Sequence, residues 1–361
     1  MHRNFVVSSF LLAIAPPVFA SLDDVQLPPG FVIEEYADVP KARSLALGAK
    51  GTLFVSTRKA RSVYAVIEND DGSTRTIEIL DGMSTPNGIA FHDGDLYVAE
   101  IDRVYRYADI EDHLDDAPDG ELLDIDLPSD SHHGWRYIGF GPDNKLYISI
   151  GAPCNVCDEY GFAQIIRVNL DGTGRETYAS GIRNSVGFTW HPESGDLWFT
   201  DNGRDMMGDN IPPCELNRAE RQGMHFGYPY CHGGDIPDPK FGKGRQCESY
   251  TPPVQKLGPH VAPLGVKFYT GDMFPEEYRN QVFIAEHGSW NRSKKIGYRV
   301  SLVRLEGNQG VSYEPFAFGW LQGQSVSGRP VDLIVKEDGS LLVSDDFAGK
   351  IYRISYIDDA N

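Results

Sequence analysis

Arg136-Tyr-Ile-Gly-Phe140 and Leu146-Tyr-Ile-Ser149, joined by Gly141-Pro-Asp-Asn-Lys145, form the stretch whose reading decides the fold. Each flank is an apolar run of strand length, and Pro-Asp-Asn is hairpin turn chemistry. The same phrase recurs along the chain. Arg43-Ser-Leu-Ala-Leu47 leads to Gly51-Thr-Leu-Phe-Val-Ser56, and Asn87-Gly-Ile-Ala-Phe91 leads to Gly94-Asp-Leu-Tyr-Val-Ala99. Asn184-Ser-Val-Gly-Phe188 leads to Gly195-Asp-Leu-Trp-Phe-Thr200, and Pro263-Leu-Gly-Val-Lys267 to Asn280-Gln-Val-Phe-Ile-Ala285. Arg329-Pro-Val-Asp-Leu333 leads to Gly339-Ser-Leu-Leu-Val-Ser344. The apolar anchors Leu53, Leu96, Leu146, Leu197, Val282 and Leu342 are spaced by 43, 50, 51, 85 and 60 residues. Strand repeats of that size predict an all-β, six-bladed β-propeller. The long fourth interval predicts an insertion after the fourth repeat, covering roughly residues 204 to 260. Gly349-Lys-Ile-Tyr-Arg-Ile354 is expected to meet Gly30-Phe-Val-Ile-Glu-Glu35 and close the ring.

The repeats lie in a chain of 361 residues with formal net charge −19. Residues 1–20 read as a signal peptide: Arg3 precedes an apolar run from Phe5 to Ala15, and Val18-Phe-Ala20 offers a small-residue cleavage site. Removing Arg3 with it takes the charge to −20. Residues 21–361 then form one propeller domain, periplasmic or secreted. The apolar run is too short to span a bilayer and no later stretch is apolar enough. So acidic a chain is not expected to bind nucleic acid, which requires clustered Lys and Arg. Five cysteines are present. An oxidising compartment favours pairing, expected as Cys154 with Cys157 and Cys231 with Cys247, leaving Cys214 over. Asp158 follows Cys157, so this is not the C-x-x-C-H haem motif, and no Walker, Rossmann or Gly-x-Ser-x-Gly signature appears.

The hairpin repeat makes a geometric prediction. The start of each first strand and the end of each second strand fall at one end of the ring. The openers are Arg43, Asn87, His132 and His133 with Arg136, Arg183 with Asn184, His260 and Arg329; the closers are Arg58 and Lys59, Glu100, Asp201 with Asn202, Glu286 with His287, and Asp345 with Asp346. Arginines and histidines converging on one mouth of an acidic protein suggest an anionic ligand. Nearby acids and carbonyls suggest a cation, and calcium prefers such oxygen ligands.

His133-Gly-Trp-Arg136-Tyr-Ile-Gly-Phe140, Gly181-Ile-Arg183-Asn184, Asp201-Asn-Gly203-Arg204-Asp205 followed by Glu215-Leu-Asn217, His287-Gly-Ser-Trp-Asn-Arg292, Gly328-Arg329-Pro-Val331 and Ser344-Asp345-Asp346 together resemble the glucose/sorbosone dehydrogenase family. Those are soluble six-bladed enzymes dependent on pyrroloquinoline quinone (PQQ), and the likeness spans roughly residues 26 to 356. It implies PQQ and Ca2+ as cofactors, a sugar or polyol substrate, and an external electron acceptor. It implies His133 as general base, with neighbouring His132 the alternative; the spacing of three to Arg136 favours His133. It implies Arg183 and Asn184 at the quinone oxygens, and Arg136, His287, Arg292, Arg329 and Asp346 around the cofactor. Carbonyls of Gly203 and Arg204 would hold the metal. Val186 and Arg204 depart from the Gln and Pro of the family's glucose dehydrogenases, which points away from glucose. Two other functions are weighed beside this one. A calcium-dependent propeller hydrolase would place carboxylates directly on the ion, and a non-catalytic binding propeller would leave His133 dispensable.

Overall fold

The computed structural model describes residues 22–357. The proposed signal peptide lies outside them. Six antiparallel sheets of four main strands each follow one another along the chain. Blade 1 runs Ala42–Leu47, Leu53–Thr57, Val63–Glu68 and Thr74–Leu80. Blades 2 to 5 begin at Gly88, Ile138, Phe188 and Pro263. Blade 6 takes three strands from the end of the chain, Pro330–Val335, Leu341–Asp345 and Lys350–Tyr356, and its outer strand, Phe31–Asp38, from the beginning. The predicted closure is therefore present.

The second strand of every blade is buried from end to end. Both its faces are covered by neighbouring blades, which is why these segments read as unbroken apolar runs instead of alternating ones. Fully burying each such Leu, Val or Phe contributes about 1.5–3 kcal/mol.

The repeats also carry a hydroxyl near the end of the second strand, and the structure shows its use. Ser56 Oγ accepts from the Ser44 backbone N–H of its own inner strand and donates to the Asn87 carbonyl of blade 2. Ser344 repeats the pattern between Asp332 N–H and the Arg43 carbonyl of blade 1. Thr200 donates to the Leu264 carbonyl of blade 5 at 2.6 Å. Each hydroxyl satisfies buried backbone groups where inner strands of adjacent blades approach too closely for a ladder. That approach also requires glycine: a Cβ on Gly187 would strike the Leu264 carbonyl.

The insertion follows the fourth repeat's hairpin and lies between the third and fourth strands of blade 4, Glu215–Ala219 and Gln255–Lys256. Its Met224–His225 segment adds to the edge of blade 3 in parallel, so the insertion stitches two blades together. The disulfides are Cys154–Cys157 and Cys231–Cys247, and Cys214 is free and buried. No helix among the described residues is long and apolar enough to cross a membrane.

Candidate active site

A cavity of about 500 Å³ opens at the end of the ring where the inner strands begin. Arg43 and Arg58 come from blade 1. His132, His133 and Trp135 come from the segment before blade 3, and Arg183 and Asn184 from that before blade 4. Gly203 and Asp205 follow the second strand of blade 4, His287 follows that of blade 5, and Arg329 opens blade 6. Residues separated by almost three hundred positions thus share one wall.

His133 occupies a left-handed backbone conformation, φ 50°. The chain turns back sharply there, and Gly134 is required next because a Cβ would collide with the Asp130 carbonyl. Gly151, just past the second strand of blade 3, leaves space for the His133 side chain. The imidazole is buried, and its Nδ1 lies 2.9 Å from the Ala152 carbonyl. A carbonyl only accepts, so Nδ1 carries the hydrogen and Nε2 keeps a lone pair. Burial, followed by the positive charge of Arg183 and the neighbouring His132, pushes the His133 pKa down to about 2. The ring is therefore neutral across the ordinary pH range.

Arg183 commits four of its five N–H groups to protein acceptors. It donates to the Asn155 carbonyl and Oδ1, to the Asn202 carbonyl, and to Asp205 Oδ2 at 2.8 Å. Beneath it, the Asp201 carboxylate receives the backbone N–H groups of Arg183 and Asn184 and fixes this corner. Burial raises the Asp201 pKa, as does the buried Glu215 on the neighbouring strand.

The opposite wall is different. Arg43, Arg58 and Arg329 converge, and among the described residues only Arg43 of these three has a carboxylate within ion-pair distance, Asp346 at 3.0 Å. Arg329 donates to the His287 and Gly288 carbonyls. Arg58 lies over the Trp135 ring, 4.3 Å from its centroid, and bonds to no protein acceptor among the described residues. Burial, followed by repulsion from Arg43 and Arg329, lowers the Arg58 pKa to about 10. His287 Nε2 contacts Asp346 at 2.8 Å, and burial pulls the His287 pKa down to about 4. Trp135 Nε1 is buried without a hydrogen-bond partner among the described residues. Together these present excess positive charge and an unused N–H to one side of the cavity, a donor set suited to a polyanion. On the rim stands Trp290, 70% exposed.

A family model described as TrAA12-like matches residues 25–356. The chain belongs to that family. A Borreliella burgdorferi protein is 35% identical over 98% of this chain and 95% of its own length. A pyrroloquinoline quinone-dependent pyranose dehydrogenase of Coprinopsis cinerea is 30% identical over 48% of this chain and 30% of that protein. Among solved structures, the calcium structure of a Trichoderma reesei protein of carbohydrate-active enzyme family AA12 has a TM-score of 0.80 at 19% identity. It covers 92% of this chain and 97% of that one. The holo PQQ domain of the Coprinopsis cinerea pyranose dehydrogenase has a TM-score of 0.79 at 19% identity, covering 94% and 98%. At that identity the structures speak to the shared propeller.

In this TrAA12-like chain, seven of the residues given roles from sequence line the cavity: His133 and its alternative His132, Arg183, Asn184, Gly203, His287 and Arg329. Asp346 stands behind the wall and holds Arg43 and His287. The side chains of three others point elsewhere, although at Arg204 the expectation concerns the backbone carbonyl and not the side chain. Arg136 is buried and donates to the Ile101 and Pro128 carbonyls. The Arg204 guanidinium pairs with Asp238 in the insertion. Arg292 bonds to the Asp209 carbonyl and to Asn210. The hairpin repeat puts Arg43 and Arg58 at the mouth without indicating what they bind, and nothing in the sequence around Trp135 and Asp205 distinguishes them as cavity residues. Their positions depend on packing between blades, which strand periodicity does not encode.

Proposed function

We propose that this chain is a quinoprotein dehydrogenase that binds PQQ in the axial cavity and oxidises the hydroxyl or hydrated aldehyde of a sugar-like substrate. One observation carries the reading: of three converging guanidiniums only Arg43 is ion-paired with a carboxylate among the described residues, and a buried histidine stands in the same cavity. When bound, the quinone supplies two-electron acceptance, with calcium polarising its carbonyl.

Arg58, Arg329 and the unpartnered Trp135 Nε1 would hold the cofactor's anionic oxygens. Asn184 would bind the quinone edge, and Gly203 and Asp205 would face the ion. The Arg204 side chain, which belongs to that loop, is paired with Asp238 in the insertion and so turns its charge away from a cation there. Among the described residues no cluster of three or more His, Cys, Asp or Glu is arranged to hold a metal. The ion would therefore depend on backbone carbonyls and cofactor oxygens.

His133 Nε2 takes the substrate hydroxyl proton. An anion placed in the cavity offsets Arg183 and raises the basicity of this nitrogen. Trp290 on the rim offers an aromatic face to a pyranose ring. The reduced site would pass its electrons to an external acceptor. The signal-like N-terminus and two disulfides support work outside the cytoplasm.

Reconstitution decides the matter. Purified protein titrated with PQQ and calcium, then offered aldoses and polyols, should bleach the oxidised-cofactor absorbance with at least one of them. Failure to bind PQQ at micromolar concentration sinks the proposal.

A further inference from the structure

Asn155 sits inside the smallest covalent ring of the molecule, between bonded Cys154 and Cys157. Neither Asn155 nor the cysteines line the cavity, yet Asn155 reaches two residues that do. Its carbonyl accepts from Arg183 Nε at 3.0 Å. Its Oδ1 accepts from Arg183 Nη2 and from the Asp205 backbone N–H, each at 2.9 Å. Its Nδ2 donates to the Asp205 carbonyl at 3.0 Å. One amide therefore satisfies both a catalytic-wall arginine and both backbone groups of the acid that pairs with it. The ring itself is anchored from the insertion, where the Tyr228 hydroxyl accepts from the Cys157 N–H at 3.0 Å.

A disulfide closing so short a loop removes less freedom from the unfolded chain than Cys231–Cys247 does. It also acts on the geometry of the folded state. The amide of Asn155 has many rotamers on an open loop, and the ring restricts the backbone that carries it.

We propose that the Cys154–Cys157 ring is a positioning device for the site, with Asn155 as the positioning residue that fixes Arg183 beside His133 and Asp205 beside Gly203. The functional reading above enters only through the ligand used as a probe. The positional claim concerns the protein alone, and it is tested first without cofactor.

The test uses Asn155→Ala and the double variant Cys154→Ser/Cys157→Ser in the full chain. In quinone-free protein, 15N NMR of the guanidinium groups should show slowly exchanging Nε–H and Nη–H signals for a clamped Arg183. Both variants should collapse these signals while leaving the melting temperature within a few degrees. PQQ affinity, followed by cofactor absorbance, should fall about tenfold in each, the scale of losing hydrogen bonds to a charged group. Native Arg183 signals and native affinity in both variants overturn the proposal. Loss in Asn155→Ala with a native-like double-serine variant overturns the role of the ring. If wild-type protein binds no PQQ the functional reading fails, and the Arg183 signals still decide the positioning claim.

Discussion

The two ends of the propeller carry the same residue types and balance them differently. At the end formed by the hairpin turns, many cations are matched by carboxylates. Lys50 pairs with Asp112, Lys336 with Glu68, Arg218 with Asp196 at 2.7 Å, and Arg167 with both Asp143 and Glu176. At the mouth, Arg58 and Arg329 have no carboxylate within ion-pair distance among the described residues, although the chain as a whole is strongly acidic. Half-buried guanidiniums left without counter-charges cost stability, and on the proposed reading a ligand that supplies the missing charge would recover it.

Substitutions at the mouth should therefore change chemistry, and those at the turn end should change little. The largest effect is expected for His133→Ala, a loss of about 10²–10⁴ in kcat with PQQ affinity within a few-fold of wild type. Steady-state kinetics on the reconstituted enzyme checks this, and retained turnover would remove His133 from the chemistry. Next, Arg58→Gln should weaken PQQ binding about 10–100-fold while raising the melting temperature of the quinone-free protein. The second half is the sharper test, because an arginine already compensated by the protein would lower it on removal. Trp290→Ala should raise KM for a sugar substrate about 3–10-fold with kcat nearly constant, the range expected for one aromatic contact. An unchanged KM would take Trp290 out of substrate binding.

The pH dependence of stability tests the buried imidazole. The folded pKa of His133 lies below its ordinary 6.5, so the unfolded chain binds more protons between about pH 2 and 6.5. His133 therefore contributes stability that is fully present above pH 6.5 and is lost as the pH falls, by up to about 1.4 kcal/mol per pH unit. Denaturation of His133→Gln at pH 7 and pH 5 should show a smaller loss than wild type; equal losses would mean the ring is not held neutral. The smallest effect belongs to the turn end. Lys50→Ala removes an exposed pair and should shift the melting temperature by under about 2 °C, with native PQQ affinity. A cofactor effect there would erase the distinction between the two ends.

Much of this was legible in the sequence, for a local reason. Strand, turn and strand follow from neighbouring residues, so the six hairpins could be read one by one. Their ends had to share a mouth, which brought Arg43, Arg58, His133, Arg183, His287 and Arg329 into view. What could not be read was where each side chain goes once the blades pack. Arg136, Arg204 and Arg292 stand in the expected motifs, but nearby carbonyls and an insertion carboxylate occupy their guanidiniums. The meeting of Arg58 with Trp135 joins blade 1 to the segment before blade 3. No local pattern encodes such a distance, and the same holds for Asn155, whose partners lie 28 and 50 residues away.

Blade 6 is assembled from both ends of the described chain, Phe31–Asp38 lying against Lys350–Tyr356. Arg329 and Asp346 belong to that blade and Arg43 to the one it seals against. The wall that gathers these three residues is therefore complete only when the two ends of the described chain are paired. On the proposed reading, a chain lacking its final hairpin would have no place for the cofactor, and bound cofactor would by mass action favour the closed ring.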